Sequence, residues 1–218
     1  MTMLKFYEFS DNSSYTRGFA WAASIYPHSE MIHRVCQDCG SVEHYPSGEF
    51  DVTLEGGTKY PDVLGCGAYP FLIVSKAVVL DWERAGITNF ERFAVGVASI
   101  KSKRLREIPP PEYFRIEITG RCDIDLEASG LKVISFCQNC GHLRTDPAVA
   151  SGFQMVAGSW DGSPLFRDVI KYPRVSFCTN IVFELAYKHQ RTNFRFEPME
   201  GPRNAASKGI DYLKGQLS

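Results

Sequence analysis

The chain has 218 residues, with 44% apolar and 22% charged side chains, which is the composition of a globular protein with a substantial core. Its formal net charge of −1 excludes a strong overall attraction to nucleic acid or to an anionic membrane. The seven cysteines are an odd number, which argues against a fully paired disulfide framework.

The N-terminal stretch MTMLKFYEFSDNSSYTRG has no basic segment followed by an apolar one, so we expect no secretory signal. Apolar runs such as FLIVSKAVVL are well short of the ~20 residues that a membrane-spanning helix needs. We therefore expect a cytoplasmic protein. In that reducing compartment, paired cysteines serve as metal ligands or redox groups more often than as structural disulfides.

The first half of the chain begins with two strand-like segments, MLKFYEFS and GFAWAASIY, followed by the motif RVCQDCGSVEH. In that motif Cys36 and Cys39 have the C-x₂-C spacing of a metal-binding turn, and Gly40 permits the positive φ that such a turn often needs.

A strand–helix–strand unit follows. A β-like run over 71–74 leads to Ser75, which can cap a helix running to about Ala85. Gly86 suits the left-handed position that ends such a helix. The tripeptide TNF occupies 88–90, and a new apolar run begins at Phe93.

The middle of the chain holds a basic run, KSKRLRE, and three consecutive prolines. Alternation would place Lys101 and Lys103 on one strand face, as a solvated sheet edge that resists aggregation. The alternative is a phosphate-binding patch that also includes Arg104 and Arg106. The prolines favour a stiff extended connection, which puts a boundary between two halves near Pro110.

The second half follows the same order of elements. Strand-like segments EYFRIEITG and LKVISF lead to the motif SFCQNCGHLRT, with Cys137 and Cys140 in the C-x₂-C spacing. A run over 175–178, a capping Thr179, a helix over about 180–190, a second TNF and the strand RFEPM come next. The tail NAASKGIDYLKGQL is a possible third helix.

Spacing links the two halves. The interval from Ser75 to Thr88 is 13 residues, and so is that from Thr179 to Thr192. The offset between halves is 104 residues here and 101 residues at the cysteine motifs. We therefore predict an α+β fold of predominantly antiparallel sheet with two to three helices. It forms a single integrated domain, 1–218, of two pseudo-repeated halves, 1–109 and 110–218.

The cysteine pairs predict a metal site. One C-x₂-C turn supplies two ligands, whereas a structural zinc site needs four in a tetrahedron. We therefore predict one structural Zn²⁺ per chain that joins the halves, and whose ligands are Cys36, Cys39, Cys137 and Cys140. Metal binding would then contribute directly to folding.

Three alternatives remain open for these cysteines. Each pair could form its own site with help from His33, His44 or His142. The pairs could be redox-active dithiols, although no helical pattern follows either motif. An ancestral site could also be empty. The remaining cysteines have no paired spacing and are expected to be buried thiols: Cys66, Cys122 and Cys178.

The sequence contains no complete enzyme motif. His28 and His33 are five residues apart, which would place them about 140° apart around a helix rather than on one face. The segment GCGAYPF lacks the third glycine of a dinucleotide-binding loop, and the chain has neither a P-loop nor a G-x-S-x-G motif. Asp123 and Asp125 are best explained as solvent-facing.

The paired CQDCG and CQNCG motifs, together with FLIVSKAVVLDWERAGITNF and SFCTNIVFELAYKHQRTNFRFE, resemble the double-CxxCG motif immunity proteins of bacterial polymorphic-toxin and contact-dependent killing systems. The likeness covers most of the chain except roughly the last 20 residues. HQRTNF departs from the family pattern because it lacks the expected glycine.

The resemblance implies a cytoplasmic antidote that binds a cognate toxin and neutralises it, and that is not an enzyme. It implies a protein partner rather than nucleic acid or a membrane. Two other functions stay open: a nucleic-acid-associated zinc-ribbon protein, supported only by the basic run, and a thiol oxidoreductase that uses its C-x₂-C pairs.

Overall fold

The computed structural model describes residues 4–12, 18–66, 72–146, 152–170 and 172–199. Two helices lie in these ranges: α1 (Lys76–Arg84) and α2 (Asn180–Lys188). The strands are β1 (Phe6–Asp11), β2 (Trp21–Pro27), β3 (Met31–Val35), β4 (Val42–Pro46), β5 (Phe50–Glu55), β6 (Val63–Leu64), β7 (Leu72–Ser75), β8 (Phe90–Ile100), β9 (Tyr113–Ile118), β10 (Ile124–Asp125), β11 (Lys132–Phe136), β12 (Leu143–Asp146), β13 (Gln154–Met155), β14 (Leu165–Asp168), β15 (Tyr172–Thr179) and β16 (Phe194–Pro198).

Two sheets form the body of the molecule. One has six strands in the order β2-β5-β8-β9-β7-β6, and the other has four in the order β14-β15-β1-β16. Every pairing in them is antiparallel except that of β5 with β8. The prediction of an α+β fold with predominantly antiparallel sheet is therefore confirmed. Two hairpins, β3-β4 and β11-β12, form small sheets of their own, as does the pair β10-β13.

Each strand–helix–strand unit takes its middle strand from the other half of the chain. Strand β1, near the N-terminus, pairs with both β15 and β16. Strand β9, which follows the prolines, pairs with both β7 and β8. The two registers correspond, because Asp11 lies opposite Phe194 as Ile118 lies opposite Phe90. The two units are therefore joined by an exchange of strands.

The first residue of each helix also forms a hydrogen bond with the opposite half of the chain. The backbone N–H of Lys76, the first residue of α1, donates to the carbonyl of Glu112 just before β9, at 2.8 Å. The N–H of Asn180, the first residue of α2, donates to the carbonyl of Lys5 just before β1, at 2.9 Å. The first N–H groups of a helix have no partner within it, so each helix depends on the opposite half for this hydrogen bond.

The helices bury corresponding positions in one shared core. The buried apolar side chains of α1 and α2 recur with the same spacing and belong to a single cluster: Val78, Val79, Trp82, Val182, Phe183 and Ala186. Strands of both sheets add side chains to that cluster, including Tyr7, Phe9, Val74 and Ile118. Burial of each larger side chain contributes about 1.5–3 kcal/mol, so this core holds the two halves together.

The two TNF tripeptides carry a second reciprocal contact. The side-chain amide of Asn193 donates to the carbonyl of Val63 in β6, at 2.7 Å. The amide of Asn89 donates to the carbonyl of Leu165 in β14. Each asparagine thus pairs with an edge strand of the opposite half, which explains why the tripeptide occurs at the same place in both.

An ion pair joins Asp81 to Arg191, whereas the corresponding residues of the other units, Leu185 and Ile87, are apolar. Asp81 in α1 is buried and accepts a hydrogen bond from Nε of Arg191 at 2.7 Å. Arg191 also lies 3.6 Å from the carboxylate of Asp62 and follows α2 at the position that Ile87 occupies after α1. Arg191 therefore supplies the permanent positive charge beside the buried Asp81, whose other carboxylate oxygen lies 3.8 Å from Nδ1 of His189.

The predicted helix caps are wrong in their chemistry. Ser75 and Thr179 do occupy the N-cap positions, but neither side chain makes a capping hydrogen bond. The hydroxyl of Ser75 donates to Asp62 Oδ1 at 2.8 Å instead, and that of Thr179 is buried without a hydrogen-bond partner among the described residues. A nearby acceptor on the core side competes with the helix N-terminus for the first hydroxyl.

Three other predictions change in the structure. The second helix ends at Lys188 rather than near Gln190. The basic run does not lie on a strand face, because β8 ends at Ile100 and Lys103–Glu107 form turns. The third helix predicted in the tail lies outside the described residues. None of the helices described in this structure has the length and apolar character needed to cross a membrane.

Candidate metal centre

Both cysteine motifs lie at the tips of hairpins and adopt the same turn. In the first hairpin the N–H of Gly40 donates to the carbonyl of Cys36, and the N–H of Cys36 donates to the carbonyl of Ser41, each at 2.9 Å. In the second hairpin Gly141, Cys137 and His142 repeat both bonds at the same distances.

Glycine is required in these turns by backbone conformation. The φ angles of Gly40 and Gly141 are +69° and +71°, in the left-handed region that glycine adopts without a steric penalty. A Cβ atom at either position would have open space around it, so the requirement comes from φ and not from crowding.

The structure brings all four predicted ligands together: Cys36, Cys39, Cys137 and Cys140. Their sulfur atoms lie within 4.8 Å of one another. Two sulfur–sulfur contacts join one hairpin to the other, Cys36 to Cys137 at 3.7 Å and Cys39 to Cys140 at 3.6 Å. The shared cluster favours one site over the two separate sites that the sequence left open.

The sulfur positions fit a tetrahedral metal. Four sulfurs bound at about 2.3 Å around Zn²⁺ are about 3.8 Å apart at the corners of a tetrahedron. The contacts of 3.6 and 3.7 Å between hairpins match that value. A set of four thiolates is a donor set that zinc prefers, since both sulfur ligands and tetrahedral geometry suit it.

Two histidines near the motifs are not part of the cluster among the described residues. His33 and His142 are exposed and do not belong to the group of ligand atoms that the described residues bring together. The side chain of His44 lies outside the described part of the structure. The imidazole of His28 pairs with Asp51 at 2.9 Å, on the turn between β2 and β3 and not on a helix.

Ser41 is a polar neighbour that sequence reasoning missed. Its hydroxyl lies 3.2 Å from the sulfur of Cys39 and 3.3 Å from that of Cys140. Hydrogen bonding from the Ser41 side chain, and next from the Ser41 backbone N–H, lowers the pKa of Cys39 to about 6. The same hydroxyl is the main cause that lowers the pKa of Cys140. Metal binding requires the thiolate form, so Ser41 favours the state that binds.

The other cysteines behave as predicted. Cys66, Cys122 and Cys178 are buried and lie outside the cluster. Burial raises the pKa of Cys66 to about 12 and raises that of Cys178 well above its ordinary value. The thiols of Cys66 and Cys178 are therefore protonated and unreactive at neutral pH.

The first hairpin is tied to the body by Arg115 of β9. Its guanidinium lies 4.2 Å from the centre of the Phe93 ring and donates to the carbonyl of Pro46, the last residue of β4, at 3.2 Å. Burial lowers the pKa of Arg115, although an arginine remains charged at neutral pH. A residue of the second half thus supports the base of the first hairpin.

The basic run offers less free charge than its sequence indicates. Lys101 forms an ion pair with Glu55, and Nε of Arg106 donates to the carbonyl of Ile100 at 2.8 Å. Two of the four cations are therefore engaged within the molecule, which weakens the phosphate-binding alternative.

No protein-family model matches this chain. A search of curated proteins also finds no match to it.

Proposed function

We propose that the chain is an immunity protein that binds and neutralises a cognate bacterial toxin domain and is held together by one structural Zn²⁺. The observation that carries the proposal is the meeting of two hairpin tips in one cluster of four cysteine sulfurs. The paired motifs are the part of the sequence on which the resemblance to double-CxxCG immunity proteins rests. In this proposal the metal stabilises the protein and performs no reaction.

The metal part of the proposal rests on local chemistry. The two turns have the same backbone hydrogen bonds, and the sulfur contacts have the length expected in a tetrahedral zinc site. Bound zinc would neutralise part of the charge of four thiolates and would link residues 101 positions apart. The cluster would then act as a clamp between the halves.

We further propose that halves 1–109 and 110–218 arose by duplication and form one integrated domain. Support comes from the matching strand registers, the corresponding helix positions and the same hydrogen bonds at both cysteine turns. The reciprocal bonds of Asn89 and Asn193 support it as well. Because the middle strand of each unit comes from the other half, the two halves are expected to unfold together.

The toxin-binding surface is proposed to lie beside the metal clamp. Five large apolar side chains on the two hairpins are each 43–58% exposed: Val35, Val42, Val133, Ile134 and Phe136. All five residues of β11 are exposed. Exposed apolar side chains that cluster on one part of a surface are typical of protein–protein contacts.

A growth assay tests the neutralising role. A candidate toxin domain, taken from whichever gene neighbours this one, is expressed in bacteria with and without the chain, and growth and co-purification are measured. We expect rescue of growth and a stable complex. Replacing Ile134 and Phe136 by glutamate should abolish both while the metal content stays at one per chain. Failure of the unmodified chain to rescue growth, with no complex formed, contradicts the proposal.

Metal analysis separates this proposal from a thiol oxidoreductase. One zinc per chain and four thiols protected from alkylation are expected for a structural site. A metal-free chain that cycles between dithiol and disulfide with an external substrate would favour the enzyme instead.

A further inference from the structure

We infer that Cys39 and Cys140 form an oxidation site, at which a two-electron oxidant such as hydrogen peroxide makes a disulfide that joins the two halves of the chain. The inference shares the cysteine cluster with the proposed function but needs no toxin partner.

Cys39 and Cys140 are the cysteines of the cluster that an oxidant reaches most readily, because they are the most exposed. Cys39 and Cys140 are exposed, whereas Cys36 is half-buried and Cys137 is buried. The cluster therefore has an outer pair that a small oxidant can reach and an inner pair that it reaches less readily. Reaction with an oxidant depends on such access as well as on thiolate character.

The short distance between these two sulfurs favours a disulfide between them as the product of oxidation. The outer sulfurs are 3.6 Å apart and come from different hairpins. Since a disulfide bond is about 2.05 Å long, the two sulfurs need to approach by only about 1.6 Å in total. The hydroxyl of Ser41 touches both sulfurs, at 3.2 and 3.3 Å, and so keeps the pair together.

The alternative product is a bond between the two cysteines of one motif. The turn from Cys36 to Ser41 is closed by two hydrogen bonds of 2.9 Å, and the turn from Cys137 to His142 is closed in the same way. Two contacts between sulfurs, Cys36 to Cys137 at 3.7 Å and Cys39 to Cys140 at 3.6 Å, run between the motifs. A bond between Cys39 and Cys140 therefore joins sulfurs that are already in contact and leaves both turns closed.

The chemistry proceeds in two balanced steps. One outer thiolate attacks an oxygen of the peroxide, the O–O bond breaks, a sulfenic acid forms and hydroxide leaves. The other thiolate then attacks the sulfenic sulfur, the S–S bond forms, the S–O bond breaks and a second hydroxide leaves. The two sulfurs lose two electrons, and the peroxide gains them. Disulfide sulfurs are poor zinc ligands, so any bound metal is released.

The test uses the full chain in two states, loaded with zinc and stripped of metal. Each is treated with one equivalent of hydrogen peroxide, and the disulfides are mapped by mass spectrometry of non-reduced peptides. Released zinc is followed with a colorimetric chelator. We expect a cross-linked peptide containing Cys39 and Cys140 as the main product, with zinc released at the same rate.

Matched variants complete the test. Cys122→Ala, which removes a buried thiol outside the cluster, should leave the cross-link unchanged, whereas Cys140→Ser should abolish it. If Cys140→Ser fails to fold, the map of the unmodified chain still decides. A main disulfide between Cys36 and Cys39, or between Cys137 and Cys140, overturns the inference, and so does the absence of any cross-link.

The outcomes of zinc binding and of cross-linking also distinguish this inference from the proposed metal site. A chain that binds no zinc but forms the cross-link contradicts the metal site alone. A chain that binds one zinc yet gives no cross-link between the halves contradicts the oxidation site alone.

Discussion

The two strand–helix–strand units bury the same positions but secure their polar groups differently. In the first unit Ser75 donates to Asp62, and the helix is followed by Gly86 with φ of +76°. In the second unit the corresponding Thr179 hydroxyl is buried without a hydrogen-bond partner among the described residues, and Gln190 takes the left-handed position with φ of +53°. The shared apolar pattern therefore maintains the architecture, while the polar contacts differ between the halves.

The ion pair adds to this asymmetry. Arg191 of the second unit reaches the buried Asp81 of the first, whereas the corresponding residue after α1 is the apolar Ile87. One unit thus supplies a charge that the other requires, and the halves are complementary rather than equivalent.

The largest effect is expected at the proposed metal site, where the four cysteines of the two halves meet. Cys140→Ser leaves three thiolates, so the site cannot close and the clamp is lost. At a free zinc concentration 1,000 times the dissociation constant, the loss of stabilisation is about 4 kcal/mol. Elemental analysis and thermal unfolding measure the two consequences. Cys122→Ala is the control and should keep one metal per chain. Full metal content and an unchanged melting temperature in Cys140→Ser would contradict the shared site.

The ion pair is expected to give the next largest effect. Arg191→Ala leaves Asp81 buried without its partner and should cost about 3 kcal/mol of unfolding free energy. Urea denaturation of Arg191→Ala, Asp81→Ala and the double variant measures the coupling. The double variant should be more stable than the sum of the single losses indicates. Strict additivity would show that the two side chains do not stabilise each other.

The TNF asparagines sharpen the comparison. Asn193→Ala loses a buried hydrogen bond and puts alanine at φ of +64°, so we expect a cost of about 2 kcal/mol. Asn89→Ala loses only the corresponding bond and should cost about 1 kcal/mol. Asn193→Gly relieves the φ strain but still lacks the hydrogen bond. Its loss of stability in chemical denaturation should lie between those of the two alanine variants. Equal losses of unfolding free energy in both alanine variants would contradict the expected difference between the two asparagines.

The smallest effect is expected at the ends of the two helices. Gln190→Gly should raise the unfolding free energy by about 1 kcal/mol, because glycine adopts positive φ without strain. Gly86→Gln should lower it by a similar amount, since a Cβ there meets no other atom and only φ opposes it. Thermal unfolding of the pair checks both signs. A loss of stability in Gln190→Gly would show that the Gln190 side chain has a role of its own.

Much of the candidate site was predictable from the sequence, because it depends on local spacing. The C-x₂-C-Gly motif encodes a turn, and the number of ligands around zinc requires two such turns to meet. Gly86 was predictable for the same reason, since a left-handed helix end is a local property.

The exchange of strands was not predictable from periodicity. Alternation in FYEFSD and YFRIEI predicts strands but does not say which strands pair with them, and here the partners lie in the opposite half. The roles of Ser41 and Arg191 were hidden for a related reason. Each acts on a residue that is distant in sequence, Cys140 or Asp81 respectively. Contacts of that kind follow from the assembled fold and leave no local pattern.

The exchange of β1 and β9 has a consequence for synthesis on the ribosome. Strand β1 is translated long before its partners β15 and β16, which lie in the other half of the chain. The apolar side chains of β1, such as Tyr7 and Phe9, therefore lack their partner strands until β15 and β16 have been synthesised. The four-stranded sheet therefore forms late in synthesis, and until then its apolar side chains are exposed to the contacts that lead to aggregation.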